Sequence, residues 1–81
     1  MWDEPKRLAN LDKHGLDFAD PNETFFENAL IVRSHSNRWR GIGKHMRDVI
    51  VVVFIMLGKE AVGVTSMRPA SRDERKLHAD A

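Results

Sequence analysis

Polar stretches with sparse apolar positions alternate along this chain with short, dense apolar runs, and each pattern predicts its own element. From Glu4 to His14 the apolar positions are few. Leu8 and Leu11 give one narrow stripe at helical spacing. Asp3 stands where an N-cap belongs, Pro5 is tolerated in the first turn, and Gly15 suits the left-handed position that closes a helix. A second helix is predicted over Pro21–Glu27. Asp20 is its expected cap, Pro21 its first residue, and Glu23 completes a capping-box pattern. Phe18 precedes that cap and can staple onto the Phe25–Phe26 end.

The pattern then changes to strands. Ala29 to Arg33 reads as one, Ser34 to Asn37 as a polar turn, and Trp39 to Lys44 as a second strand weakened by Gly41 and Gly43. His45 to Asp48 is a turn. Val49 to Leu57 is apolar on both faces, which places it centrally in its sheet. Gly58-Lys59 marks a hairpin, and Ala61 to Met67 pairs back. Pairing should end at Pro69, which has no N–H for the ladder. A last helix is predicted from Ser71 to about Ala79, opened by a Ser71–Glu74 capping box. A stub of strand at Met1-Trp2 is a further expectation. The fold class is therefore α+β: two N-terminal helices, a four-stranded, mainly antiparallel sheet and a C-terminal helix, with the helices packed on one face.

Composition narrows this picture. Eighty-one residues allow one small domain, 1–81, with a marginal core that favours a stable partner. The absence of cysteine excludes disulfides and thiolate metal sites. Asp3 and Glu4 fall where a signal peptide would be basic, and Val49–Leu57 is too short to span a bilayer. A cytoplasmic chain with no membrane segment is expected. The net charge of +1 hides an uneven distribution. Residues 1–27 carry seven acids and three bases; residues 28–59 carry one acid, Asp48, and six bases. The basic middle suits a polyanion or an acidic protein.

No H-x-x-H pair, Gly-rich phosphate loop or nucleophile elbow is present, and His14, His35, His45 and His78 are scattered. No metal site is expected. Arg68, Arg72 and Arg75 surround the predicted start of the last helix, where unpaired N–H groups attract anions. A solvated basic helix face accounts for that segment as it stands. Lys13 and His14 are likewise explained as cations at a helix C-terminus.

Taken in order, several short blocks resemble the BrnT family of bacterial toxins. They are W-D-x-x-K at Trp2–Lys6, N-x-x-K-H-G at Asn10–Gly15, Phe18, and Phe26-Glu27. Arg40, Ile42 and Gly43 follow, then the Val-rich run Val49–Val53, and finally Ser66, Arg68, Ala70, Glu74 and Arg75. The resemblance implies a fold similar to RelE-type toxins. It implies a ribonuclease that cleaves RNA without a metal or other cofactor and so inhibits translation. The implied partner is a cognate ribbon-helix-helix antitoxin, in a hetero-oligomer that contacts operator DNA through the antitoxin and represses its own operon. On that reading Arg68 and Arg75 are the phosphate-binding cations of the catalytic site and Lys13 adds electrostatic stabilisation. His14 and Glu27 are the candidates for base or acid. Arg40, Arg72 and His78 are expected to bind substrate, with His78 a third acid–base candidate. The alternative is a non-catalytic interaction module, or a co-repressor acting through its antitoxin.

Overall fold

The computed structural model describes residues 1–59 and 61–81; Glu60, beside the expected Gly58-Lys59 hairpin, lies outside them. In chain order the elements are α1 (Glu4–His14), α2 (Glu23–Asn28), β1 (Leu30–Arg33), β2 (Arg38–His45), β3 (Asp48–Leu57), β4 (Ala61–Pro69) and α3 (Arg72–Asp80). The four strands form an antiparallel meander in the order β1-β2-β3-β4. The expected strand stub at Met1-Trp2 takes the form of an isolated parallel bridge from Trp2 to Val64 on β4, with the Met1 carbonyl accepting the Val64 N–H. Among the described residues no helix is long and apolar enough to cross a membrane.

β3 supplies side chains to both faces of the sheet. Ile50, Val52 and Phe54 join Phe18, Phe25, Val64 and Met67 in the larger core. Val51 joins Ile42 and Ala70 in a smaller core on the opposite face. Complete burial of one such aliphatic side chain stabilises a fold by about 1.5–3 kcal/mol. This two-sided burial explains why the run 49–57 shows no polar alternation. It also corrects the expectation that all helices share one face. α2 packs on the larger core, whereas Glu74 of α3 bonds Arg40, the cross-strand neighbour of Val32 and Val53 on the smaller-core side.

The second helix starts later than expected. Asn22 is its N-cap, accepting the Phe25 N–H at 3.0 Å, and the Asp20–Glu23 capping box does not form. Asp20 lies 3.7 Å from His45. Asp and Asn cap helices about equally well, so packing decides the start. From Asn22, Phe25 meets Gly43, and Phe26 stands edge-on against Phe54 with ring centroids 5.4 Å apart. A Cβ at Gly43 would lie 3.0 Å from the Phe25 ring.

β4 is an edge strand, and a side chain covers part of its edge. The Asn10 carbonyl oxygen accepts the Met67 N–H, and its amide donates to the Leu16 carbonyl, both at 3.1 Å. Asn10 thus ties α1 to the sheet, satisfying a donor that an edge leaves open. The register shifts by one between Val53 and Phe54, so Thr65 is the extra residue of a bulge; its hydroxyl donates to the Val53 carbonyl. Pairing ends at Pro69, opposite Ile50.

Gly43→Val should lower stability by about 1–3 kcal/mol through overpacking against Phe25. A lowered urea midpoint at unchanged slope is the expected readout, and an unchanged midpoint would mean that α2 moves away without penalty.

Candidate active site

The β4–α3 junction brings together groups from β2, β4 and α3. Pro69 ends the ladder, Ala70 is buried, and Ser71 turns the chain into α3. The capping box is complete: the Ser71 hydroxyl accepts the Glu74 N–H at 3.2 Å, and the Glu74 carboxylate accepts the Ser71 N–H at 2.9 Å. Glu74 does more than cap. It is the one buried charged residue among those described, at 4% exposure. Its two oxygens take both terminal nitrogens of Arg68, at 2.5 and 2.9 Å. The same carboxylate accepts from Arg40 at 2.7 Å.

The expected attraction of anions to this helix start therefore has an internal answer. Glu74 sits in the first turn, where the helix dipole favours negative charge, and its carboxylate occupies the place that an outside anion would take. Hydrogen bonding from Arg68 is the largest cause that holds its carboxyl far below the usual carboxylate range; the Ser71 N–H and Arg40 add to it. The same pair raises the Arg68 guanidinium above its ordinary value. Two guanidinium groups against one carboxylate leave a net positive charge. Each guanidinium carries five N–H donors, so donors remain on both after the bonds to Glu74.

The other expected site residues are dispersed. Arg75 follows Glu74 but turns to Asp48 at the β2–β3 turn, with a 2.7 Å ion pair, and its Nε donates to the Ala70 carbonyl. That pairing holds the Asp48 carboxyl below its ordinary range. Arg72 is exposed on α3. His78, one turn beyond Glu74, is half-buried and lines a cleft of about 580 Å³ with Lys44, His45, Asn22 and Asn28. Lys13 is exposed and His14 half-buried at the end of α1, which packs along β4. Glu27 is exposed on α2, on the larger-core face. No ion pair among the described residues links Lys13, His14 or Glu27 to the arginines.

Two features escaped the sequence reading. One is the clamp role of Glu74, which its place in a capping box concealed. The other is the His45–His78 cleft, whose members stand far apart in sequence. Among the described residues no group of three or more His, Asp or Glu side chains is arranged to hold a metal ion.

Glu74→Gln removes the charge while keeping an amide oxygen for the cap. Deleting one partner of a buried pair costs about 3–5 kcal/mol; both arginines reach solvent here, so a loss of about 2–3 kcal/mol is expected. A depressed carboxyl stabilises the fold above its unfolded pKa, and that contribution is lost as pH falls toward the folded value. Wild-type stability should therefore fall with decreasing pH from the ordinary carboxylate range downward. The variant should show a flatter decline, with Asp17 and Asp48, also depressed by arginines, supplying what remains. Urea titrations across that range measure both slopes, and equal slopes would refute the assignment.

Comparison with known proteins places this geometry in a family. A family model described as the ribonuclease toxin BrnT of type II toxin-antitoxin systems matches residues 2–74. The 1.1 Å crystal structure of the Brucella abortus ribonuclease toxin BrnT is similar at 45% identity and a TM-score of 0.83, covering 89% of this chain and 95% of that one. No curated protein matches the sequence. A family match that runs from Trp2 through the clamping Glu74, over the same fold, establishes that the chain belongs to the BrnT family of type II toxin-antitoxin ribonuclease toxins.

Proposed function

We propose that this chain is a metal-independent endoribonuclease whose cationic site lies on the sheet face beneath α3. The observation that carries the reading is the clamp: a buried carboxylate holds Arg40 and Arg68 together with donors to spare. In the proposed reaction the RNA 2′-hydroxyl attacks the adjacent phosphorus. A base takes its proton, the bond from phosphorus to the 5′-oxygen breaks, and an acid protonates that oxygen. The products are a 2′,3′-cyclic phosphate and a 5′-hydroxyl. Negative charge grows on the phosphorane, and preorganised guanidinium groups stabilise such charge without reorganising. Arg68 and Arg40 fill that role, with Arg75 released from Asp48 to a phosphate farther along the strand. Arg72 and Lys13 add positive potential at longer range.

For the proton steps the geometry favours His78 over His14 and Glu27. It stands one turn from Glu74 on the same helix and shares its cleft with His45. A ribonuclease of this kind inhibits translation. Its partner is a ribbon-helix-helix antitoxin that neutralises it and carries the operator contact through which the pair represses its own operon.

Arg68→Ala should reduce cleavage of a defined RNA by about 10²–10³-fold, the usual effect of deleting one transition-state donor. Arg75→Ala should lose less, and His78→Ala should alter the pH–rate profile. Growth arrest on induction should be relieved in step with the loss of cleavage. Full toxicity of both arginine variants would remove the site assignment. A wild-type chain that cuts no RNA, with or without ribosomes, would remove the function.

Cleavage should also continue at an unchanged rate in excess EDTA. Loss of activity that returns with a divalent cation would overturn the metal-independent mechanism.

A further inference from the structure

Burial falls off along the smaller-core face of the sheet. Ile42 and Val51 are completely buried there, together with Ala70 at the start of α3. The Val49 carbonyl accepts the Ala70 N–H, and along β3 away from that contact Val53 and Ile55 are only half-buried. Strand register sets the arginines beside them. Arg40 stands opposite Val32 and Val53, and Arg38 stands opposite Ile55. Arg38 and Arg40 are two apart on β2, so both side chains leave the sheet on this face. Arg68, opposite Val51, reaches the same place from β4 and shares the Glu74 carboxylate with Arg40. Three arginines therefore border the part of the face that α3 leaves open.

Arg38 differs from the other two in having no internal use. It is exposed, and among the described residues no carboxylate pairs with it. It borders a surface depression with Ser36, Asn37 and Ile55. The four strands contain one acidic residue, Asp48, which lies at the opposite end of β3 from Ile55 and pairs with Arg75. Only Glu74 offsets the positive potential over the open face, and Arg40 and Arg68 outnumber it. Residues two apart on a strand are separated by about 6.6–6.8 Å, a span that one nucleotide of an extended strand covers. Phe18, Phe25, Phe26, Phe54 and Trp39 all belong to the larger-core side, so bases find none of these rings to stack on here. The open face offers charge along a backbone path.

We propose that Arg38 is a second phosphate subsite, which holds the phosphate next to the scissile one while Arg40 and Arg68 hold the scissile group. This inference rests on the ribonuclease reading above and extends it from a catalytic centre to a path for the strand. Arg38 binds substrate and takes no part at the reacting atoms. Its guanidinium pairs with phosphate oxygens, so it supplies affinity and register and no base preference.

The test compares cleavage of an RNA hexanucleotide with that of a dinucleotide, which has a single phosphate. Binding of the uncleavable 2′-O-methyl hexanucleotide is measured in parallel by fluorescence anisotropy. Arg38→Ala should raise KM for the hexanucleotide about tenfold at unchanged kcat and leave dinucleotide cleavage as in wild type. Its log–log salt dependence of hexanucleotide binding should flatten by about 0.7, the share of one phosphate contact on a single strand. Arg38→Lys keeps the charge and should restore that slope. Arg47→Ala removes an equal charge from the turn at the other end of β2 and should bind as wild type. All three variants should keep the wild-type thermal midpoint to within a few degrees. An unchanged KM and salt slope in Arg38→Ala would overturn the subsite. An equal loss on the dinucleotide, an equal loss in Arg47→Ala, or a wild type that does not bind the hexanucleotide would overturn it as well. If the wild type cuts no RNA but binds the 2′-O-methyl hexanucleotide with the same dependence on Arg38, the ribonuclease reading fails and the subsite stands.

Discussion

A buried carboxylate in a chain of this size must be fully partnered, and the way Glu74 meets that requirement organises the β4–α3 end of the molecule. Leaving such a charge unpaired would cost several kcal/mol, a large share of the stability of a small domain. Its oxygens accept from Arg68, Arg40 and the Ser71 N–H. One side chain therefore starts α3, fastens it to β2 and β4, and fixes the geometry of two cations. The helix itself is short, nine residues, and buries no other residue. A helix of that length is marginal without tertiary contacts. The polar clamp takes the place that an apolar stripe fills in a longer helix.

The sheet divides the molecule into two unequal sides. On one side, α2 and the Phe18 segment close the larger core. On the other, a smaller core includes Ala70 at the start of α3, and Arg40 and Arg68 reach from the sheet beside it to Glu74. The division follows from β3, whose central residues Ile50, Val51 and Val52 are buried on alternating faces. The acidic N-terminal third and the basic middle seen in the sequence do not map onto these two sides. Basic residues of β1 and β2 reach both: Arg40 joins the clamp, and Arg33 stacks over Trp39 on the side of α2. One basic stretch of chain thus serves two surfaces, because strand residues alternate between faces.

How much was legible beforehand depended on the range of the interaction concerned. α1, the Gly15 closure, the Ser71–Glu74 box and the end of pairing at Pro69 follow from residues within four positions of one another. The family resemblance rested on such short blocks in order, and the family match agrees with it. The start of α2 is not legible locally, because Asp20 and Asn22 are equivalent caps by local chemistry; the fit of Phe25 against Gly43, eighteen residues on, separates them. Asn10 stood out in the sequence only as part of a block. Its contact with Met67 across 57 positions shows it to be a fastener for an edge strand.

The arginines mark the same boundary most clearly. The sequence by itself determined that cations gather at a capped strand-to-helix junction, since capping and charge are properties of neighbours along the chain. Only the tertiary structure decided which cations act together. Arg68 and Arg75 are near in sequence, yet one turns to Glu74 and the other to Asp48. Arg40, 34 positions from Glu74, joins the first of them. The reason is geometric: strand pairing sets β2 and β4 on either side of β3, and a charge buried beneath α3 draws its partners from whichever strands lie there.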